Sequence, residues 1–157
     1  MWWALFGAAF GYTEAVVVVY LRRLLGEGTG LVYRQIFTAK HLAFTSAGIA
    51  ADMARHGAWT VERSREIATL LLLLGAAMAA GRTRRERGAV FLFTFAVWDE
   101  AYYLFLGLWT GFPHSLMQTD IYFLVPFAWY GPVWFPVLVV MPLMIALALR
   151  LWRPASE

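Results

Sequence analysis

The sequence predicts an all-α, polytopic transmembrane helical bundle of four or five spans, with a Pro- and aromatic-rich re-entrant or interfacial segment before the last span. Three observations carry that expectation. Of the 157 residues, 61% are hydrophobic, 17% aromatic and only 15% charged, with a mean hydropathy of +0.61, a balance that excludes an ordinary water-soluble domain and a disordered chain. Apolar runs long enough to cross hydrocarbon recur along the chain. The 13 Lys and Arg residues gather beside those runs, where they read as orientation signals in a bilayer and not as a nucleic-acid surface. Cysteine is absent, which removes disulfides, thiolate metal sites and thiol catalysis.

The first span covers about residues 2–21, anchored by Trp2 and Trp3 and stopped by Arg22 and Arg23. It lacks a basic leader and a clear cleavage site, so it reads as an uncleaved span. Glu14 lies inside it, about 10 Å below the Leu21 end at helical rise, and Gly7, Ala8 and Gly11 let another helix approach. Gly26, Gly28 and Gly30 then make a connection rather than a phosphate loop, because no Gly-Lys-Ser/Thr follows. Residues 36–54 are ambiguous. Thr38, His41, Thr45, Gly48, Asp52 and Arg55 recur at helical spacing on a mostly apolar segment, which either spans the bilayer or lies at its surface.

His56-Gly57 breaks that helix, and Thr60 is the expected N-cap of the next, a span over about 62–81. Glu62 and Glu66 share a face there, with Arg65 within pairing reach. Arg82, Arg84, Arg85 and Arg87 form an intensely basic turn, placed in the cytoplasm. Residues 88–110 form the next span, with Asp99 eleven positions from either end. Ile121 to Gly131, interrupted by Pro126, is too short to cross and supplies the re-entrant or interfacial piece. Residues 132–151 make the last span, with kinks expected at Pro136 and Pro142. The whole chain, 1–157, then forms one membrane-embedded helical domain. Four spans would leave seven basic residues outside and six inside, whereas counting 36–54 as a fifth leaves Arg55, Arg63 and Arg65 outside, so the charge distribution favours five spans, N-terminus out and C-terminus in.

The candidate chemistry sits within the spans. A carboxylate at the bilayer centre costs about 2.5 to 3.5 kcal/mol even on the lenient insertion scale, so Glu14, Asp99 and Glu100 need compensation. No Lys or Arg is expected at matching depth, which leaves tyrosine, histidine, a proton, water, a metal ion or a ligand. Asp99 shares a helix face with Tyr102 and Tyr103, while Glu100 points about 100° away. Glu14, Glu62, Glu66, Asp99, Glu100, His41 and His114 form the pool of metal ligands, yet no Glu-x-x-His or His-Glu-x-x-His spacing occurs. The sequence therefore identifies no cofactor. Trp98, Tyr102, Tyr103, Trp129 and their aromatic neighbours either wall a cavity for a flat or isoprenoid molecule or simply pack helices and belt the interface.

Several blocks carry a resemblance: Gly11-Tyr12-Thr13-Glu14-Ala15 running to Tyr20-Leu21-Arg22, Arg65-Glu66-Ile67-Ala68-Thr69, Trp98-Asp99 with Tyr102-Tyr103, and Gly111-Phe112-Pro113 through Asp120 to Pro126, Trp129, Gly131 and Pro132. In these the chain resembles an uncharacterised family of small bacterial integral membrane proteins, over about half its length. The resemblance implies a bacterial inner-membrane location and suggests that Glu14, Arg65, Glu66, Asp99 and Asp120 act together. It implies no activity. Two functions are then expected. One is binding of a lipid-soluble ligand or partner subunit in a polar bundle interior, through Arg65, Tyr102, Tyr103, His114, Asp120 and Trp129. The other is a small membrane enzyme doing acid-base or metal-assisted chemistry on a lipid or isoprenoid, with Glu14, Glu66 and Asp99 as its catalytic groups. The partners expected are membrane lipids, a hydrophobic small molecule or a larger membrane complex, and no nucleic acid.

Overall fold

The computed structural model describes residues 2–29, 58–127 and 129–153. Helix α1 (Trp2–Thr29) carries the first apolar run and continues past its expected end at Leu21. Helix α2 (Ala58–Ala80) starts two residues before Thr60, which therefore lies inside the first turn rather than capping it. Helix α3 (Arg84–Thr110) begins at a capping box in which Thr83 accepts from the Glu86 N–H and Glu86 reaches back to the cap backbone. It ends at Gly111, whose left-handed φ of 72° lets its N–H close onto Gly107 O at 2.8 Å.

Residues expected to form a re-entrant piece instead make an antiparallel hairpin. Strand β1 (Thr119–Phe123) pairs with β2 (Trp129–Pro132), with Asp120 opposite Gly131 and Ile121 opposite Tyr130. Ile, Tyr, Phe and Trp suit a pleated strand, and Tyr122 pins the pair by donating to Pro132 O at 2.7 Å. After β2 the chain makes a π-helical turn at Pro136–Val140 and then helix α4 (Met141–Trp152), with Pro142 in its first turn. The widened turn accommodates prolines that an α-helical interior excludes.

The directions of the helices follow from their contacts. Gly7 of α1 lies against Thr94 and Val97, Phe10 against Trp98, and Ala15 and Val19 share a core cluster with Tyr103 and Leu106, so α1 and α3 run parallel. Gly11 permits this approach, since a Cβ there would collide with the Trp98 carbonyl and the Ala101 side chain. Helices α2 and α4 run the other way: Gly81 meets Arg87, while Arg85 donates to the carbonyls of Arg150, Leu151 and Arg153 at 3.2, 2.8 and 2.8 Å. The N-terminal end of α1, the C-terminal end of α4 and the arginine turn consequently occupy one end of the molecule. The expectation that the two termini lie on opposite sides does not match this packing.

The expected bundle of four or five spans is also corrected. Among the described residues, two helices are long and apolar enough to cross a bilayer, Trp2–Tyr20 of α1 and the whole of α3, and these indicate membrane association. The segment expected to span over 62–81 carries Glu62, Arg63, Arg65 and Glu66 in its first turns, which leaves an apolar stretch of about 20 Å at helical rise against a hydrocarbon thickness of about 30 Å. The segment expected over 132–151 spends Pro132 on β2, and its apolar helical part, Pro136–Trp152, is also short. The ambiguous stretch 36–54 lies outside the described residues.

Candidate functional site

The arginine on α2 that the resemblance singled out proves to be the hub of a polar cluster between α1, α2, α3 and the hairpin. Arg65 forks onto Glu62 one turn earlier, donating from Nε to Oε2 at 3.0 Å and from Nη2 to Oε1. Its Nη1 donates to Glu14 on α1. Glu62 is buried, and Glu14 and Arg65 are largely shielded, so this two-carboxylate clamp is a bidentate, charge-assisted arrangement in low dielectric. Burial works against the Arg65 charge, but the two carboxylates together outweigh it and leave the guanidinium more firmly protonated than an ordinary arginine. The expectation that no Lys or Arg meets the acids inside the spans fails for Glu14: Arg65 does, because the packing of α2 on α1 brings it to the depth of Glu14.

Glu66, one residue further on, turns toward the hairpin and accepts the Leu124 N–H at 2.8 Å. Burial is the main cause that raises its carboxyl, to about 7, against the lowering effect of that hydrogen bond. Arg63 adds a second tie between α2 and the hairpin through Pro126 O at 3.4 Å. The hairpin is thus fastened over the cluster by backbone groups at both sides of Val125.

Asp99 and Tyr103 approach from α3, and Asp120 from β1. Asp120 is buried, 3% exposed, and the Tyr103 hydroxyl donates to it. Asp99 lies within electrostatic reach of Asp120, Glu14 and Glu100. Its Oδ2 is shut off from solvent and meets no hydrogen-bond donor among the described residues. On the neighbouring face Trp98 is buried against Phe10, Phe95 and Phe123, with ring centroids 6.3, 5.1 and 6.2 Å away. Its Nε1 is likewise without an acceptor among the described residues. Buried groups of this kind are uncommon, and each calls for an explanation.

Of the residues singled out from sequence, Glu14, Arg65, Glu66, Asp99, Tyr103 and Asp120 converge. Tyr102 borders the group, its ring 5.0 Å from that of Tyr103. His114 and Trp129 do not belong: His114 is exposed in the loop after α3, its N–H donating to Gln118, and Trp129 is half exposed and stacked on Phe127 at 5.3 Å. Sequence reasoning put Glu62 within pairing reach of Arg65 and in the pool of metal ligands but not among the site residues, and it missed the backbone of Leu124, which carries no sequence signal. Among the described residues no group of three His, Asp or Glu side chains is arranged to hold a metal ion.

The cluster is one-sided. Toward the arginine end the buried positions of α2, α3 and α4 are Leu73, Ala77, Ala89, Val90, Ala96 and Ala148, and the buried hydroxyl there, Thr94, is satisfied by Val90 O at 2.8 Å. The site therefore has an apolar floor and a hairpin roof. No family model, curated protein or solved structure matches the chain.

Proposed function

We propose that the protein binds a lipid-soluble ligand in its membrane-embedded polar interior, entering from the hairpin end and completing the hydrogen bonding of Asp99. The observation that carries this reading is the buried Asp99 Oδ2 with no donor among the described residues, since leaving a buried acceptor unmade costs about 1 to 3 kcal/mol. The apolar floor argues for a closed site over a conduction path, because a proton or ion passing through needs polar groups on both sides of Asp99. In this reading α1 and α3 cross the bacterial inner membrane, and the arginine turn, with the N-terminal end of α1, faces the cytoplasm.

The rival reading, a small membrane enzyme with Glu14, Glu66 and Asp99 as acid-base groups, is less well supported. Glu14 is held by Arg65 and Glu66 by the Leu124 amide, so two of the three are occupied structurally. Native mass spectrometry of protein purified in mild detergent tests the proposal. The expected result is a copurifying small molecule that the wild type retains and Asp99→Asn releases. Absence of any bound molecule, with Asp99→Asn changing only thermal stability, would count against a binding role; turnover of an added lipid that Asp99→Asn abolishes would favour the enzyme.

A further inference from the structure

Among the described residues, carboxylates gather near Asp99. Glu14, Asp120 and the half-buried Glu100 lie within electrostatic reach of it, and Glu62 and Glu66 gather with Glu14 around Arg65. Among the described residues most donors at the cluster are already engaged: Arg65 by Glu14 and Glu62, the Leu124 amide by Glu66, the Tyr103 hydroxyl by Asp120, and the Tyr122 hydroxyl by Pro132 O; the buried Trp98 Nε1, on the neighbouring face, is the exception. A group that completes Asp99 must bring a donor, and a positive charge gains most where several carboxylates share a low-dielectric space. A multivalent metal lacks a converging set of three ligands among the described residues. The Phe10, Phe95, Trp98 and Phe123 rings, packed together on the adjoining face of α3, supply an apolar cluster suited to the body of such a ligand.

We propose that the ligand presents an alkylammonium head group on an apolar body, with the ammonium donating to Asp99. This rests on the binding role proposed above. The chemistry has two sources in a membrane, a free single-chain amine and the head group of an aminophospholipid.

The test uses the full chain in phosphatidylcholine nanodiscs, with dodecyldimethylamine, dodecanol or added phosphatidylethanolamine, and follows the thermal midpoint by tryptophan fluorescence. The amine is expected to raise the midpoint by several degrees, dodecanol to leave it in place, and Asp99→Asn to erase the gain. Labelling of wild-type Asp99 by dicyclohexylcarbodiimide, mapped by mass spectrometry, gives a second readout that needs no variant to fold; the amine should suppress it severalfold and dodecanol should not. A gain with phosphatidylethanolamine assigns the head group to the lipid, a gain with the amine alone assigns it to a free amphiphile, and either supports the proposal. Equal effects of amine and dodecanol, both lost in Asp99→Asn, would overturn the charged head group and leave the binding role standing. No shift and no protection with any probe overturns the head-group assignment, and if purified protein also carries no bound molecule the binding role falls with it.

Discussion

Arg65 and Glu14 are 51 positions apart in sequence and form a salt bridge, with Arg65 at the same time forked onto Glu62. One guanidinium thereby pairs with an acid inside the first apolar helix and one inside its own helix. Removing it strands two shielded carboxylates, so Arg65→Ala should destabilise the protein by about 3 kcal/mol or more. Arg65→Lys should recover only part, because an ammonium cannot reproduce the fork. Thermal melts of both variants in detergent, with Glu14→Gln/Arg65→Ala closing a double-mutant cycle, check this; additivity of the two substitutions would remove the pair from the account.

Glu66 gives a pH dependence of defined sign. Its carboxyl is raised from 4.5 to about 7 in the folded protein, so the folded state holds the proton more tightly than the unfolded one. Its contribution is greatest below the unfolded value and is lost as pH rises from there through about 7. Glu66→Gln, which keeps an acceptor for the Leu124 amide, should match the wild type near pH 4 and become the more stable of the two at pH 8. Melting curves across that range decide it; identical pH profiles would show that Glu66 does not titrate there.

The approach of α1 to α3 depends on Gly11. Gly11→Val places methyl groups against the Trp98 carbonyl and the Ala101 side chain and should destabilise by about 1 to 3 kcal/mol. Gly75 on α2 has open space beyond its Cα, so Gly75→Ala should be neutral or stabilise by up to about 1 kcal/mol. The pair, measured by thermal melts, separates a steric role for Gly11 from ordinary helix propensity.

Arg85 closes the arginine end by capping the last carbonyls of α4. Arg85→Ala should fray that terminus at a modest global cost of about 1 kcal/mol, since the bonds are exposed. Limited trypsin digestion should cut faster at Arg150 in the variant, and unchanged cleavage would assign the cap no stabilising role.

Local pattern determined the helical character of the chain, the apolar runs behind α1 and α3, the basic turn and the spacing that pairs Glu62 with Arg65, because hydrophobic runs and three- or four-residue spacings are local properties. The resembling blocks also placed Glu14, Arg65, Glu66, Asp99 and Asp120 on one shortlist. Tertiary structure decided the rest. That α1 runs parallel to α3, that Arg65 reaches the depth of Glu14, that the hairpin roofs the cluster through the Leu124 amide, and that Asp99 Oδ2 meets no donor among the described residues all depend on contacts between segments distant in sequence. Depth along a single helix shows which acids are buried, but only the packing of neighbouring helices shows which base or backbone group meets them.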